Sequence, residues 1–212
     1  MSVIADLTEM GKRMVRANLV AGPGGNISAR DGRRMICSPS GYDLDAIGVR
    51  DWAVVDLARE RQVRGAKATC EFELHLRVLQ ARRDVNFICH SHPATVVGLI
   101  SGGQDLQPFT PDFVTFVDHI VHLPYMMIGG SEFARAVAKA AAGGANCVAI
   151  RNHGLVTFGA TMRQALTRTI VIDDQARVQM AALIAGKPKP LPRRTQDIIR
   201  KLDFEVIRQK LQ

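Results

Sequence analysis

Closely spaced pairs of short apolar segments constrain the fold of this chain more than any other sequence feature. NISAR (26–30) and RMICS (34–38) flank the turn residues DGR, and NCVAI (146–150) and GLVTFG (154–159) flank RNH. Gly and Asn between two apolar runs predict β-hairpins. Hairpin strands are antiparallel, and the helical segments do not alternate strictly with strands. The sequence therefore favours a mixed or antiparallel sheet with helices on its faces over a doubly wound parallel fold.

Longer amphipathic segments separate these pairs and predict helices. The evidence is apolar residues three and four positions apart, with Ser, Thr or Pro at the start of the pattern. Strands are also predicted at WAVVDL and VNFICHS. Helices are predicted near the N-terminus before AGPGGN, from Thr69 to Arg82 with Thr69 as N-cap, from Pro93, from Ser131 as cap, and from about Thr161 to Ala185.

Length and hydropathy predict one sizeable globular domain. The chain has 212 residues, of which 47% are hydrophobic, enough for a full core but short for two domains. No apolar run approaches the roughly 18 residues that cross a bilayer, and the first 21 residues are too mixed in charge for a signal peptide. We therefore expect a cytoplasmic protein with no membrane partner.

The positive charge of the chain is concentrated at its C-terminal end. Residues 187–212 contain eight basic and three acidic side chains, and they contribute +5 of the net charge of +8. An excess confined to one terminal segment does not indicate a nucleic-acid surface, so no nucleic-acid partner is predicted. Residues 188–212 are expected to form a basic helical segment that packs on the domain or on a neighbouring subunit.

Two histidines separated by one residue end the apolar segment FICHSHP (87–93). In a strand, residues i and i+2 point to the same face about 6.6 Å apart, so His90 and His92 can converge on one metal ion. An H-x-H pair by itself leaves two interpretations open, namely metal ligands or polar residues that happen to end a strand.

A third histidine, His153, follows another apolar segment in the turn RNHG. If the two strand ends meet at one edge of the sheet, His153 joins the first pair, and three histidines with an open fourth position are typical of catalytic zinc. The alternative for His153 is a turn residue that binds backbone. His75 is interpreted as a hydrogen-bonded core residue, and His119 and His122 as surface or subunit-contact residues.

Glu71 and two small-residue loops are further candidates. Glu71 is predicted in the first turn of a helix, where acidic residues are favoured by the helix dipole even without a function. GGNIS and SPSG expose backbone N–H groups, an amide and hydroxyls, and Thr69 adds another hydroxyl. Such donors suit a phosphate or carboxylate, although each loop is equally consistent with a simple turn.

The motifs GPGGNISAR, CSPSGYDL, CEFELHL, CHSHP, LPYMMIGG and RNHGLVTFG, taken in order, resemble the class II aldolase/adducin family, which includes fuculose-phosphate aldolase and ribulose-5-phosphate 4-epimerase. The resemblance runs from about Thr8 to Lys187 and implies a single domain over residues 1–187. It implies a three-layer α/β/α sandwich around a mainly antiparallel central sheet. It also implies a homotetramer with active sites at subunit interfaces.

The resemblance assigns roles by motif position. His90, His92 and His153 match the metal ligands, with Zn²⁺ the expected cofactor and Mn²⁺ or Co²⁺ as alternatives. Glu71 matches the catalytic acid/base, and Tyr125 in LPYMMIGG matches an acid that reaches the neighbouring subunit's site. The positions that match the anion-binding loops are Gly25, Asn26, Ser40, Gly41 and Thr69.

The implied activity is metal-dependent retro-aldol cleavage of a small hydroxy-carbonyl substrate, such as a sugar phosphate of carbohydrate metabolism, through a metal-stabilised enediolate. One departure bears on the substrate: family aldolases have two serines before the catalytic Glu, whereas this chain has Thr69 and Cys70, and a thiol is a poor donor. The family also contains decarboxylases of hydroxy-aromatic or heteroaromatic acids, which are the first alternative. An adducin-like assembly domain is the second, but such members lack the metal histidines.

Overall fold

The structure is a computed structural model that describes residues 2–117 and 119–212. Within these residues eight strands form one sheet in the order β4-β3-β2-β1-β5-β8-β7-β6. All neighbouring strands are antiparallel except β6 and β7, which are parallel. The strands are β1 (Asn26–Asp31), β2 (Arg34–Cys37), β3 (Ala53–Asp56), β4 (Arg61–Arg64), β5 (Phe87–Ser91), β6 (Ile120–Leu123), β7 (Cys147–Ile150) and β8 (Gly154–Gly159).

Helices cover both faces of this sheet. Helices α2 and α5 pack together on one face, and α1, α3, α4 and α6 pack on the other. The prediction of a three-layer α/β/α sandwich around a mainly antiparallel sheet is thereby confirmed. The helices are α1 (Val3–Arg16), α2 (Phe72–Ala81), α3 (Ala94–Ser101), α4 (Pro111–Phe116), α5 (Ser131–Ala142), α6 (Met162–Ala185), α7 (Arg193–Ile199) and α8 (Asp203–Lys210).

The alternation of β5 assigns its side chains to the two faces. Ile88 packs in the core beneath α2 and α5, whereas Phe87 and Cys89 pack in the core beneath α1 and α6. His90 lies on the same face of the strand as Ile88, because its position also differs by two. The end of β5 therefore points His90 toward the start of α2, whereas Cys89 and Ser91 lie on the opposite face.

Two predicted helix starts differ from the structure. Helix α2 begins at Phe72, so Glu71 occupies the N-cap position and not the first turn. The N–H of Thr69 donates to the Ser38 carbonyl at 3.1 Å, and this bond holds Thr69 in a bridge to the preceding loop and out of the helix. Ser131 is the first helical residue of α5, with Gly130 as N-cap, and the Ser131 hydroxyl donates to Glu73 Oε2 at 2.9 Å.

Two edge strands carry little sequence signal. Strand β4 has exposed residues throughout, and without buried neighbours it shows no alternation of apolar and polar residues. The segment VDHIVHLP, interpreted as less regular, contains strand β6. This strand pairs in parallel with β7, a contact between segments that lie well apart in the chain.

The C-terminal segment contacts α4 and the loop before it. The Leu191 N–H donates to the Pro108 carbonyl at 2.7 Å, and Arg208 pairs with Asp112 at 2.9 Å. The division of the chain at residue 187 stays a prediction. Among residues 2–117 and 119–212, no helix combines the length and the apolar character that crossing a bilayer requires.

Candidate metal centre and pocket

The three candidate metal ligands meet where β5 ends and β8 begins. His90 is in β5, His92 follows this strand by one residue, and His153 lies in the turn between β7 and β8. Strands β5 and β8 are antiparallel and pair Ser91 with Leu155. This pairing places the C-terminal end of β5 beside the turn that carries His153.

The Nε2 atoms of these imidazoles point at one another. His92 Nε2 lies 3.0 Å from His90 Nε2, which lies 3.2 Å from His153 Nε2. Nitrogen ligands of a tetrahedral zinc ion, each about 2.0–2.1 Å from the metal, are separated by roughly 3.4 Å. The spacing of the cluster is therefore close to that of a three-histidine metal site, as the grouping of potential ligand atoms also indicates.

Two glycines allow this close approach. A Cβ on Gly154 would lie 2.5 Å from His92 Cδ2 and 2.5 Å from the Ser91 carbonyl oxygen, so no other residue fits without displacing the cluster. Gly25 has a φ of +75°, and a Cβ there would lie 2.8 Å from the His90 carbonyl oxygen. Gly25 thus has a packing role next to His90 in addition to its predicted place in an anion-binding loop.

The protonation states of the three histidine rings allow them to bind a cation. His90 Nδ1 lies 3.0 Å from the Leu155 carbonyl oxygen, which only accepts, so Nδ1 carries the proton and the Nε2 lone pair is free. Burial, with the neighbouring His90, lowers the pKa of His92 to about 3 and that of His153 to about 4. Neutral imidazoles with converging lone pairs are the donor set that zinc and similar ions bind.

Glu71 lies directly beside the histidines and is only 5% exposed. Its Oε2 is 3.2 Å from His90 Nε2 and its Oε1 is 3.4 Å from His153 Nε2. Burial acts to raise the pKa of this carboxyl, but the neighbouring His90 imidazole and a hydrogen bond from Asn26 outweigh it and lower the pKa. Oε1 is buried without a hydrogen-bond partner, so the cluster has room for a cation that would satisfy it.

A pocket of about 400 Å³ opens above Glu71 and His153. It brings together nearly all of the residues singled out in the sequence, and the fully buried His90 contacts three of its lining residues, Glu71, His92 and His153. The lining residues are Pro23, Gly24, Gly25, Asn26, Pro39, Ser40, Gly41, Thr69, Cys70, Glu71, His92, Tyr125, Ile128, Asn152 and His153.

The predicted anion-binding residues line this pocket but differ in what they offer it. Ser40 is exposed, whereas Thr69 is buried and its hydroxyl accepts the Glu71 N–H at 3.3 Å. Asn26 is also buried, and its amide donates inward to Glu71 Oε2 at 2.7 Å. Ser38, another candidate hydroxyl, is buried and accepts the Ile27 N–H. The anion-binding roles stay predictions, and Asn26 has a second role that the sequence did not reveal.

Tyr125 lines the pocket of its own chain and is 51% exposed. The resemblance to the family places this tyrosine at a neighbouring subunit's site. Its position at the mouth, beside the exposed Met127 and Ile128, is compatible with a site that a second chain completes. Its catalytic role stays a prediction.

The other histidines are distributed as follows. His75 is a fully buried, hydrogen-bonded residue of α2, as interpreted from the sequence. His119 is exposed. His122 differs from the surface interpretation, because it is partly buried and its Nε2 accepts the Leu106 N–H at 3.0 Å.

Sequence reasoning missed several residues that shape the site. Gly154 carries the clearest signal, since a glycine directly after a candidate ligand indicates close packing at that point. Asn152 has a φ of 55° in the same turn and lines the pocket, and Asn is among the residues that tolerate this conformation. The contact of Asn26 with Glu71 joins segments 45 residues apart, and no local pattern predicts it.

The described residues form an eight-stranded α/β/α sandwich with three imidazoles and a buried carboxylate at one end of the sheet. This combination is characteristic of one class of enzyme, and comparison with known proteins identifies that class. The profile of the Class II Aldolase and Adducin N-terminal domain matches residues 5–180, and the chain belongs to this family. An L-fuculose phosphate aldolase of Methanococcus maripaludis (strain C7 / ATCC BAA-1331) is 30% identical over 159 residues, which cover 75% of this chain and 86% of that protein.

Two further comparisons extend this result. A solved structure of L-fuculose 1-phosphate aldolase superposes with a TM-score of 0.86 at 26% identity, covering 94% of each chain. A 3-oxo-tetronate 4-phosphate decarboxylase of Haemophilus influenzae is 24% identical over 178 residues, covering 81% of this chain and 84% of that protein. The predictions of the family and of an enzyme of the aldolase/lyase class are confirmed.

Proposed function

We propose that this protein is a metal-dependent lyase that cleaves a C–C bond of a small hydroxy-carbonyl substrate by retro-aldol chemistry. The observation that carries the proposal is the convergence of three imidazole Nε2 atoms beside a buried carboxylate on the floor of the pocket. The relatives named as aldolases support a phosphorylated sugar as the substrate class.

His90, His92 and His153 would hold the ion, with Zn²⁺ the expected occupant and Mn²⁺ or Co²⁺ as alternatives. When bound, the metal supplies a Lewis acid that stabilises negative charge on the substrate oxygens as the C–C bond breaks. The Leu155 carbonyl fixes the tautomer of His90, so that Nε2 remains available as a ligand atom.

Glu71 is the residue that moves a proton at the carbon that gains the electron pair. Its contacts with His90 and Asn26 lower its pKa and keep it ionised before substrate arrives, as a general base requires. Tyr125 at the pocket mouth would handle the proton of the aldehyde oxygen, from its own chain or from a neighbour. A phosphate would be bound by neutral donors from Gly25, Ser40, Gly41 and Thr69.

A decarboxylase is the second candidate, and Cys70 favours it. The thiol of Cys70 lines the pocket at a position where family aldolases have a serine hydroxyl, and it offers a weaker donor to phosphate. In a decarboxylase, Glu71 would act at the carbanion left by departing CO₂. The Haemophilus influenzae relative supports decarboxylation as the reaction, while its own name specifies a phosphorylated substrate.

The test is incubation of zinc-loaded protein with a panel of ketose 1-phosphates and hydroxy-aromatic acids, with aldehyde and CO₂ measured together. Aldehyde release supports the aldolase, and CO₂ release supports the decarboxylase.

Glu71→Gln should retain zinc while turnover falls by about two to four orders of magnitude. Full turnover in Glu71→Gln would remove Glu71 from the mechanism, and absence of zinc in purified protein would contradict the metal centre.

We further propose that the enzyme is a homotetramer in which neighbouring chains border the pocket. The support is the exposed apolar loop that carries Tyr125, Met127 and Ile128 at the pocket mouth, since apolar patches at a rim mark interaction sites. Light scattering of the purified protein tests this proposal, and a monomeric mass combined with full activity would contradict it.

A further inference from the structure

A buried chain of hydrogen bonds leads from Ser28 to the carboxylate of Glu71. Ser28 Oγ lies 2.8 Å from His75 Nδ1, and His75 Nε2 lies 2.5 Å from Asn26 Oδ1. Asn26 Nδ2 then donates to Glu71 Oε2 at 2.7 Å. Ser28 and His75 are fully buried and Asn26 is 5% exposed. The four side chains therefore interact with one another and not with solvent.

The chemistry of the groups determines the direction of each bond. An ionised Glu71 only accepts, so the amide of Asn26 must turn its NH₂ toward Oε2 and its carbonyl oxygen toward His75. That carbonyl oxygen also only accepts, so His75 must carry its proton on Nε2. Nδ1 then accepts from the Ser28 hydroxyl. Every donor in the chain thus points toward Glu71.

We propose that His75 is a positioning residue for the reaction, because its Nε2–H orients the Asn26 amide that holds and stabilises the ionised Glu71 carboxylate. Without this donor the amide is free to rotate, since its two ends are nearly the same size. A rotated amide would place its carbonyl oxygen against the carboxylate, and that contact is repulsive. Rotation of the amide would therefore remove the hydrogen bond that holds Glu71 Oε2 in place.

The backbone holds the components rigidly. Asn26 and Ser28 are alternate residues of β1 and share the face covered by α2, which carries His75. Asn26 also lies directly opposite His90 in the pairing of β1 with β5. The fixed Oε2 leaves Oε1, which has no hydrogen-bond partner, next to His153 and the pocket. Burial lowers the pKa of His75 to about 3, so a neutral ring is available at working pH.

The inference rests on the proposed function, but its first test does not need activity. Nitrogen-15 NMR of the full-length, zinc-loaded protein with labelled histidine reports which ring nitrogen carries a proton. The signal of His75 is identified by its disappearance in His75→Gln. We expect a neutral ring protonated on Nε2. A ring protonated on Nδ1, or a cationic ring at about pH 7, would overturn the proposal even if the enzyme is active.

The second test uses two variants at the same position. His75→Gln keeps an N–H near the place of Nε2, whereas His75→Leu removes the donor and the ring polarity. We expect kcat to fall at least about tenfold in His75→Leu with KM within about threefold, and to stay within about threefold of wild type in His75→Gln.

His122→Leu is the control, since it removes a partly buried histidine that accepts a backbone N–H and does not line the pocket. It should leave kcat unchanged, and zinc content should stay at wild-type level in all three variants. Equal losses in His75→Gln and His75→Leu would indicate a purely structural role and contradict the inference. If wild type cleaves no substrate of the panel, the proposed function fails and the NMR result alone decides the role of His75.

Discussion

The cluster of His90, His92 and His153 and the single histidine His75 are linked through Asn26 and Glu71, and they differ in what their nitrogens contact. In the cluster of His90, His92 and His153, three Nε2 atoms point at one another. In His75 both ring nitrogens have partners, one a serine hydroxyl and the other an asparagine carbonyl. Burial keeps His75, His92 and His153 neutral by lowering their pKa values.

The difference shows that burial alone does not make a metal site. A neutral imidazole whose unprotonated nitrogen faces the lone pair of another nitrogen is stabilised by a cation between the two. An imidazole whose two nitrogens both have hydrogen-bond partners is already satisfied and has no free ligand atom for a metal. The four predictions below test this distinction, from the largest expected effect to the smallest.

Removal of one ligand from the cluster has the largest expected effect. His92→Ala should lose at least about 90% of the bound zinc and nearly all turnover, because two imidazoles do not hold the ion against dilution. Elemental analysis after gel filtration measures the zinc. His119→Ala, which removes an exposed histidine, is the control and should retain it. Full zinc content in His92→Ala would refute the three-histidine site.

Gly154→Ala should weaken the cluster without changing a ligand. The added Cβ would overlap His92 and the Ser91 carbonyl, and forced overpacking costs about 1–3 kcal/mol. We expect a lower Tm by calorimetry and a zinc affinity reduced by about tenfold or more. Gly98→Ala is the control, because a Cβ there meets open space within helix α3 and should be neutral or slightly stabilising. Equal Tm values for the two variants would contradict the close-packing argument.

The neutral state of His75 predicts how stability depends on pH. Burial lowers its pKa to about 3, against about 6.5 in the unfolded chain. Between these values the unfolded chain binds a proton that the folded chain does not. The free energy of unfolding should therefore decrease as pH falls below about 6.5, by up to about 1.4 kcal/mol per pH unit from this residue.

Urea unfolding of zinc-free protein measures this dependence. The comparison of wild type with His75→Gln isolates His75, because His92 and His153 titrate in both proteins. The free energy of unfolding should fall less steeply with decreasing pH in His75→Gln than in wild type. Parallel curves for the two proteins would show that His75 does not stay neutral in the folded state.

Cys70→Ser tests the anion-binding side of the pocket and has the smallest expected effect. A hydroxyl donates more strongly than a thiol, and one net hydrogen bond contributes about 0.5–1.5 kcal/mol. KM for a phosphorylated substrate should fall by about two- to tenfold, with no change for an unphosphorylated hydroxy acid. An unchanged KM for phosphorylated substrates would indicate that Cys70 does not face the phosphate.

Much of the fold was predictable because its signals are local. The hairpin between β7 and β8, the long helix α6 and strand β5 all follow from hydrophobic periodicity and turn residues within short windows. The predicted N-cap of α2, Thr69, lies two residues before the observed one, Glu71, and the Thr69 N–H pairs with the Ser38 carbonyl of the preceding loop. Strands β4 and β6 lack a local pattern, and only their pairing partners define them.

The sequence alone determined the residue types of the site and their order along the chain. His90, His92, His153 and Glu71 are recognisable because their chemistry is rare in apolar surroundings and because their motifs occur in the order typical of one family. Tertiary structure alone decided which nitrogens converge and which way each hydrogen bond points. Asn26, expected in an anion-binding loop, also holds Glu71, because strand pairing places it opposite His90 and beneath α2. Such contacts join residues far apart in the chain, and no local pattern of side chains encodes their geometry.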